Sequence, residues 1–349
     1  DEGEARISVN LKGSEVADVY RWIHIPEEWQ RQEREKATRF QIVLAICSFV
    51  VAGCFMGGIA GGIIAWSRKQ FDRGLFLSSF GLLSGIGLLN LFNSWPSVAF
   101  RFSTAQPLER SILTTVGVGL VSILVSAAAP SLIIGFIHGT KSACQSVARS
   151  ERILLGLALG AIFAGITALV SSWTAPSLPR WPDYNPVGTY LPLFDVALSP
   201  LSRFVLSTAL LLVVFFLTHR FSNGWTQRKV PTALALFVFG LALGAFESQG
   251  DWWAWAAVGG TTGLLFVAGH LFLFRYALCL VPLAVGMFQV LATLESGLDR
   301  AFTAALPGSL LAAILIIWLS ILWSGKLQEP RQGTLNNGIR GSDLSQSRT

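Results

Sequence analysis

The chain has 349 residues, 52% of them hydrophobic and only 13% charged, with a mean hydropathy of +0.56. Ordinary soluble domains carry about 25% charged residues, so this composition excludes one large water-soluble core and predicts a polytopic membrane protein. The formal charge of +6 is accounted for by loop Lys and Arg placed by topology, and no nucleic-acid partner is expected.

The chain opens at Asp1, and no signal-like segment precedes the first apolar run, which reads as a fragment or mature product of a longer polypeptide. Ile7, Val9 and Leu11 alternate with Ser8, Asn10 and Lys12. After Lys12-Gly13-Ser14, Val19, Arg21, Ile23 and Ile25 alternate with Tyr20, Trp22 and His24. Period-two alternation about a Gly turn predicts a β-hairpin. A lone hairpin is marginal in water, so residues 1–25 read as the end of a soluble domain. Pro26 suits the first turn of a helix, with Glu27 and Glu28 at its positive end. A charged juxtamembrane helix is expected over 26–39, running on into the first span.

From Phe40 to Trp66 no residue is charged, longer than the roughly 20 residues that cross a bilayer core. Further apolar runs cover 75–92, 112–137, 153–172, 204–218, 231–246, 252–274, 276–294 and 307–323. The expected fold is therefore all-α, with about nine transmembrane helices in a domain over 40–324. Pro130 and Pro282 are expected to kink their helices. The connection 173–203 holds Pro176, Pro179, Pro182, Pro186, Pro192 and Pro200 and reads as an interfacial loop, with a lid over a site as the alternative. Residues 325–349 are rich in Gly, Ser, Asn and Gln and read as a disordered tail.

Small residues recur four apart at Gly57/Gly61, Gly58/Gly62, Gly81/Gly85, Gly156/Gly160, Gly240/Gly244 and Gly259/Gly263. Such faces let helices approach closely in lipid, where hydrophobicity cannot drive association. Packing within the bundle is their expected use, and dimerisation is the alternative. Cys47, Cys54, Cys144 and Cys279 lie in or beside apolar runs, without metal-ligand spacing, and read as buried thiols.

Loop charge predicts orientation. Arg68, Lys69 and Arg73, then Lys141, Arg149 and Arg152, then Arg220, Arg228 and Lys229 lie in one set of loops. The opposite set holds fewer: Arg101, Arg110, Arg180, Arg203 and Arg300. The positive-inside rule places the first set in the cytoplasm. The N-terminal region is then outside and the tail inside, in what is expected to be a bacterial inner membrane. The cluster Arg31, Arg34, Lys36 and Arg39 argues the other way, interleaved with Glu27, Glu28, Glu33 and Glu35.

Ionisable groups inside a membrane are costly, so each is a candidate site. His270 lies within the seventh run, and a hydrogen-bonded packing histidine is its plainer reading. Glu247 and Asp251 bracket the turn before that run and read first as solvated interfacial carboxylates. His138 and His219 end runs three and five, and Glu295, Asp299 and Arg300 follow run eight. A zinc hydrolase needs several converging ligands and an acidic base. His219, Glu247, His270 and Glu295 are the set that could be assembled, although spacing does not force them together.

Several stretches together resemble the CPBP group, the CAAX-protease and bacteriocin-processing family of large bacterial membrane proteins. They are residues Tyr20 to Arg31 (YRWIHIPEEWQR), Leu91 to Pro96 (LFNSWP), Thr104 to Pro107 (TAQP), Val281 to Gly286 (VPLAVG) and Leu306 to Gly308 (LPG). The resemblance implies a soluble extension leading into a helical membrane domain and, in active members, metal-dependent intramembrane proteolysis. Its signature is Glu-Glu-x-x-x-Arg, then Phe-x-x-x-His, then a His followed four residues on by Asn or Asp. Here Glu295 and Arg300 frame Ser296 where a second Glu belongs. Phe266–His270 and Phe215–His219 fit the second element but precede Glu295, and the third element has no membrane position. Glu295 and Arg300 are the catalytic candidates, and His219, Glu247 and His270 the metal candidates. The leading expectation is a non-catalytic relative that scaffolds or binds membrane partners. The alternatives are an atypical metal-dependent endopeptidase, with zinc as cofactor, and a transporter using His270 and Glu247.

Overall fold

The computed structural model describes residues 3–139, 148–174, 183–248 and 252–328. Strands β1 (Glu4–Lys12) and β2 (Glu15–His24) pair antiparallel, turning at Gly13 with φ +68°. Val9 stands opposite Val19 and Ile7 opposite Arg21, with a bulge between Asn10 and Leu11. One face therefore carries Ile7, Val9, Leu11, Val16, Val19 and Ile23, all exposed. On the other, Trp22 Nε1 donates to Ser8 Oγ at 2.9 Å.

Helix α1 runs unbroken over Glu27–Ser67. The juxtamembrane helix and first span are thus one element of 41 residues, about 60 Å long. Nothing in the sequence between 36 and 42 breaks a helix, and the Glu33–Lys36 and Glu35–Arg39 pairs bridge the change from charged to apolar. There follow α2 (Arg73–Asn93), the short α3 (Trp95–Phe100), α4 (Leu108–Gly139), α5 (Arg149–Trp173), α6 (Pro192–Phe221), α7 (Lys229–Gly244), α8 (Trp252–Gly269), α9 (Val281–Asp299) and α10 (Ala305–Gln328). Among the described residues eight helical segments are long and apolar enough to cross a membrane. The sixth expected span, α7, has 16 residues, about 24 Å, and falls short of a full core.

Three expectations need correction. The Pro-rich connection is partly helical: α6 begins at Pro192, where a first-turn Pro loses nothing, and takes Pro200 into its interior. Pro176, Pro179 and Pro182 fall within 175–182, outside the described residues. Pro282 stands in the first turn of α9 and starts that helix instead of kinking it. The tail reading shortens, because α10 carries residues 325–328, while 329–349 are outside the described residues.

Helix α6 is the centre. Phe204, Val205, Ala209, Val213 and Phe215 are fully covered by neighbours on α1, α2, α4, α9 and α10. The small-residue faces close the other contacts. A Cβ on Gly240 would lie 2.3 Å from the Gly263 backbone, and one on Gly244 2.3 Å from Gly259, so α7 and α8 meet backbone to backbone. Gly156 and Gly160 receive Leu283, Ala284 and Met287 of α9, and Gly58, Gly61 and Gly62 receive α4 and α6 side chains. At Gly81 and Gly85 a Cβ would meet nothing within 4 Å. Cys47 and Cys54 are free, whereas Cys279 is disulfide-bonded and not a thiol; Cys144 lies outside the described residues.

Candidate functional site

The bundle has two ends. At the hairpin end α1 enters, and Phe40 packs edge-on against Trp252 at 5.6 Å. There Asn93, buried at the end of α2, clamps the approach to α6. Its Nδ2 donates to the Leu191 carbonyl at 3.1 Å, and its Oδ1 accepts from the Leu191 N–H at 2.8 Å. Ser97 Oγ donates to the Gly188 carbonyl at 2.6 Å. Arg300 Nη2 reaches Asp183 Oδ2 at 3.1 Å, with Asp195 in electrostatic range of both. Arg300, a catalytic candidate from sequence, thus ties the α5–α6 connection to the end of α9. Glu295 is exposed one turn earlier.

A cavity of about 290 Å³ lies among α5, α6, α7, α8 and α9. Its walls are mostly apolar: Phe163, Leu210, Leu211, Leu265, Val285 and Phe288 among them. Thr167, Ser207, Thr262 and Gln289 add sparse polar groups. Arg203, Phe246 and Glu247 stand at its hairpin end, where all three are exposed and the cavity opens. Glu247 is exposed in the turn, as an interfacial carboxylate would be, and also lines the cavity. Although part of its surface is exposed, desolvation against the apolar cavity mouth pushes its carboxyl up from the ordinary value, and the positive charge of Arg203 opposes the shift. Asp251 lies outside the described residues.

Phe215, Phe266 and Phe274 close the other end of the cavity. The Phe215 and Phe274 rings are 4.5 Å apart. Behind them sits His270, with no exposed surface. Here α8 gives way to a π-turn over His270–Phe274, with the Arg275 N–H donating to the His270 carbonyl at 3.3 Å. His270 lies parallel to Phe215 at 5.9 Å and tilted against Trp225 at 5.6 Å. Among the described residues neither ring nitrogen finds a hydrogen-bond partner, whereas the packing reading gave it one. The 222–228 turn that delivers Trp225 is tight: Asn223, Trp225 and Arg228 all take positive φ, a costly choice for non-glycine residues. Ser222 Oγ holds the turn by accepting from the Trp225 N–H at 3.1 Å.

The five candidates fall into two groups. His219 and His270 are near one another at the end opposite the hairpin. Glu247, Glu295 and Arg300 belong to the hairpin end. Along α6, Arg203 and His219 are 16 residues apart, about 24 Å. His138 sits in α4, and its side chain is outside the description. Among the described residues no three His, Cys, Asp or Glu side chains gather into a metal-binding group. Asn93, Trp225 and Phe274 were not singled out from sequence. Asn93 does lie within one of the quoted family-like stretches, whereas nothing local marks the other two.

Comparison with family models, with curated proteins and with solved structures finds no match. The fold and the apolar spans define the class: a helical, polytopic membrane protein with an exposed β-hairpin ahead of its first span.

Proposed function

We propose that the chain is a non-catalytic membrane protein that binds an amphipathic, lipid-like molecule in the cavity among α5–α9. Kinship with the CPBP group is part of this proposal and rests on the quoted stretches. The cavity is the observation that carries the reading. Ligand sites are commonly concave, about 300–1,000 Å³, mostly apolar, with a few placed polar groups. At about 290 Å³ this one lies just below that range and suits one chain or ring system. Arg203 and Glu247 at the mouth suit a charged or dipolar head. The separation of acids from histidines favours binding over hydrolysis.

The proposed setting is a bacterial inner membrane, with the hairpin outside. Arg68, Lys69, Arg73, Arg149, Arg152, Arg220, Arg228, Lys229 and Arg275 belong to the end away from the hairpin, which supports a cytoplasmic assignment for it. Membrane-protein partners remain part of the proposal, with the apolar hairpin face available to them. Mass spectrometry of the detergent-purified protein tests the binding reading. Wild type is expected to retain a bound amphiphile that Ser207→Trp, which fills the cavity, loses. Equal retention by both would refute it.

A further inference from the structure

We infer that the cavity is one half of a transmembrane path, that His270 is its second polar station, and that the chain carries an anionic amphiphile together with a proton. The inference rests on the binding reading above. Four observations meet at one place. The cavity follows α6 from Arg203 to Phe215, 12 residues or about 18 Å. The Phe215–Phe274 pair then closes it at 4.5 Å. Directly behind stands a fully buried histidine with both nitrogens unpaired. Phe274 and His270 occupy the same π-turn.

An unpaired buried polar group forfeits its hydration without return, and among the described residues with such groups His270 alone leaves two polar atoms unpaired. Ionisable residues at membrane depth mark ion and substrate paths. Single π-turns recur at functional sites, and interrupted helices at membrane depth are the usual binding elements of carriers. Phe274 and His270 share this turn, so in the proposed cycle one change of its geometry moves both rings together. The charged or titratable groups near His270 are His219 from α6 and Arg275 from its own turn. Both offer donors or positive charge, and Arg203 does so at the mouth. Arg203 at the mouth and Arg275 beyond the π-turn are fixed cations at the two ends of this line, with His270 as a donor between them, which favours an anionic head; the raised pKa of Glu247 lessens the opposition of its carboxylate beside Arg203. The proton bound by a His270 nitrogen on one side is released on the other, so one proton accompanies each anion and charge balances.

The test uses the full chain in liposomes loaded with a pH-sensitive dye, and decanesulfonate as probe. A sulfonate stays charged, so it cannot carry a proton across lipid unaided. External probe is expected to acidify the interior at least about fivefold faster than in protein-free vesicles. His270→Gln should abolish acidification while keeping probe binding, measured by equilibrium dialysis in detergent. Arg203→Gln should weaken that binding. Binding without acidification in wild type, or acidification unchanged by His270→Gln, overturns the carrier inference and leaves the binding reading standing. No probe binding to wild type overturns the anion assignment, and a cavity empty of any co-purified amphiphile overturns the binding reading itself.

Discussion

Replacing Gly240 by Ala is the sharpest test of how α7 and α8 meet. The added Cβ would stand 2.3 Å from both Cα and N of Gly263 and 2.8 Å from the Thr262 carbonyl carbon. Ordinary contact begins near 3.4 Å, so the two backbones must part by about 1 Å. No side chain can rotate away, because the obstacle is backbone. Overpacking of this kind costs about 1–3 kcal/mol. The same seam carries Leu243, Gly244, Thr262 and Phe266 into the cavity wall, so its parting also widens the site. Gly81→Ala is the matched control, since its Cβ would meet nothing within 4 Å. There the helix preference for Ala over Gly, about 0.5–1 kcal/mol, acts alone. Scanning fluorimetry in detergent should show Gly240→Ala melting at least about 3 °C below wild type, from the usual few degrees per kcal/mol. Gly81→Ala should match or exceed wild type. A Gly240→Ala protein that melts with wild type would refute the backbone contact.

Three further outcomes are expected. Asn93→Leu strands the N–H of Leu191, whose carbonyl keeps the Phe194 N–H at 3.0 Å, and should cost about 1–3 kcal/mol, read as a lower melting temperature, where Ser97→Ala costs less. Glu247 has a folded-state pKa raised above 4.5, so its neutral form is favoured in the fold. The stabilisation is full below 4.5 and is lost as pH rises through the raised value. Wild type should therefore lose melting temperature over that window, and Glu247→Gln should not; parallel pH profiles would refute the assignment. In intact cells an impermeant thiol reagent should label Ser14→Cys in the hairpin and spare Thr226→Cys in the α6–α7 turn, and the reverse pattern would invert the proposed orientation.

The spans were legible because bilayer thickness sets a length and charge is excluded from it. The hairpin was legible because alternation about Gly13 has few other solutions. What escaped the sequence is what hydropathy does not encode. The run from Trp252 to Phe274 is apolar nearly throughout, so nothing local announces the π-turn that buries His270. Pro192 and Pro200 read as loop residues, yet one starts α6 and the other is carried inside it. The cavity escaped because Leu, Phe and Val facing a void look the same in sequence as those facing a neighbour. Asn93 finds its partner 98 residues away, and no local pattern predicts such a pair.

The hydrolase alternative turns on distance. A metal that cleaves peptides needs ligands about 2 Å away, an activated water and a base in reach of it. Glu295 lies 14 residues beyond Val281 on α9, about 21 Å along the axis. Val281 adjoins the 278–280 turn, which packs against the His270 π-turn. Glu295 is therefore displaced by most of a bilayer core from the two neighbouring histidines, and no rotamer closes such a gap. Arg300 is committed to Asp183, and Glu247 to the cavity mouth beside Arg203. Losing one essential group usually costs orders of magnitude in rate, and here the groups stand at opposite ends. Purified protein is expected to hold zinc well below one equivalent, and Glu295→Gln should leave membrane-protein turnover in cells unchanged. Stoichiometric zinc released by both His270→Ala and Glu295→Gln would require a fold in which those two ends meet.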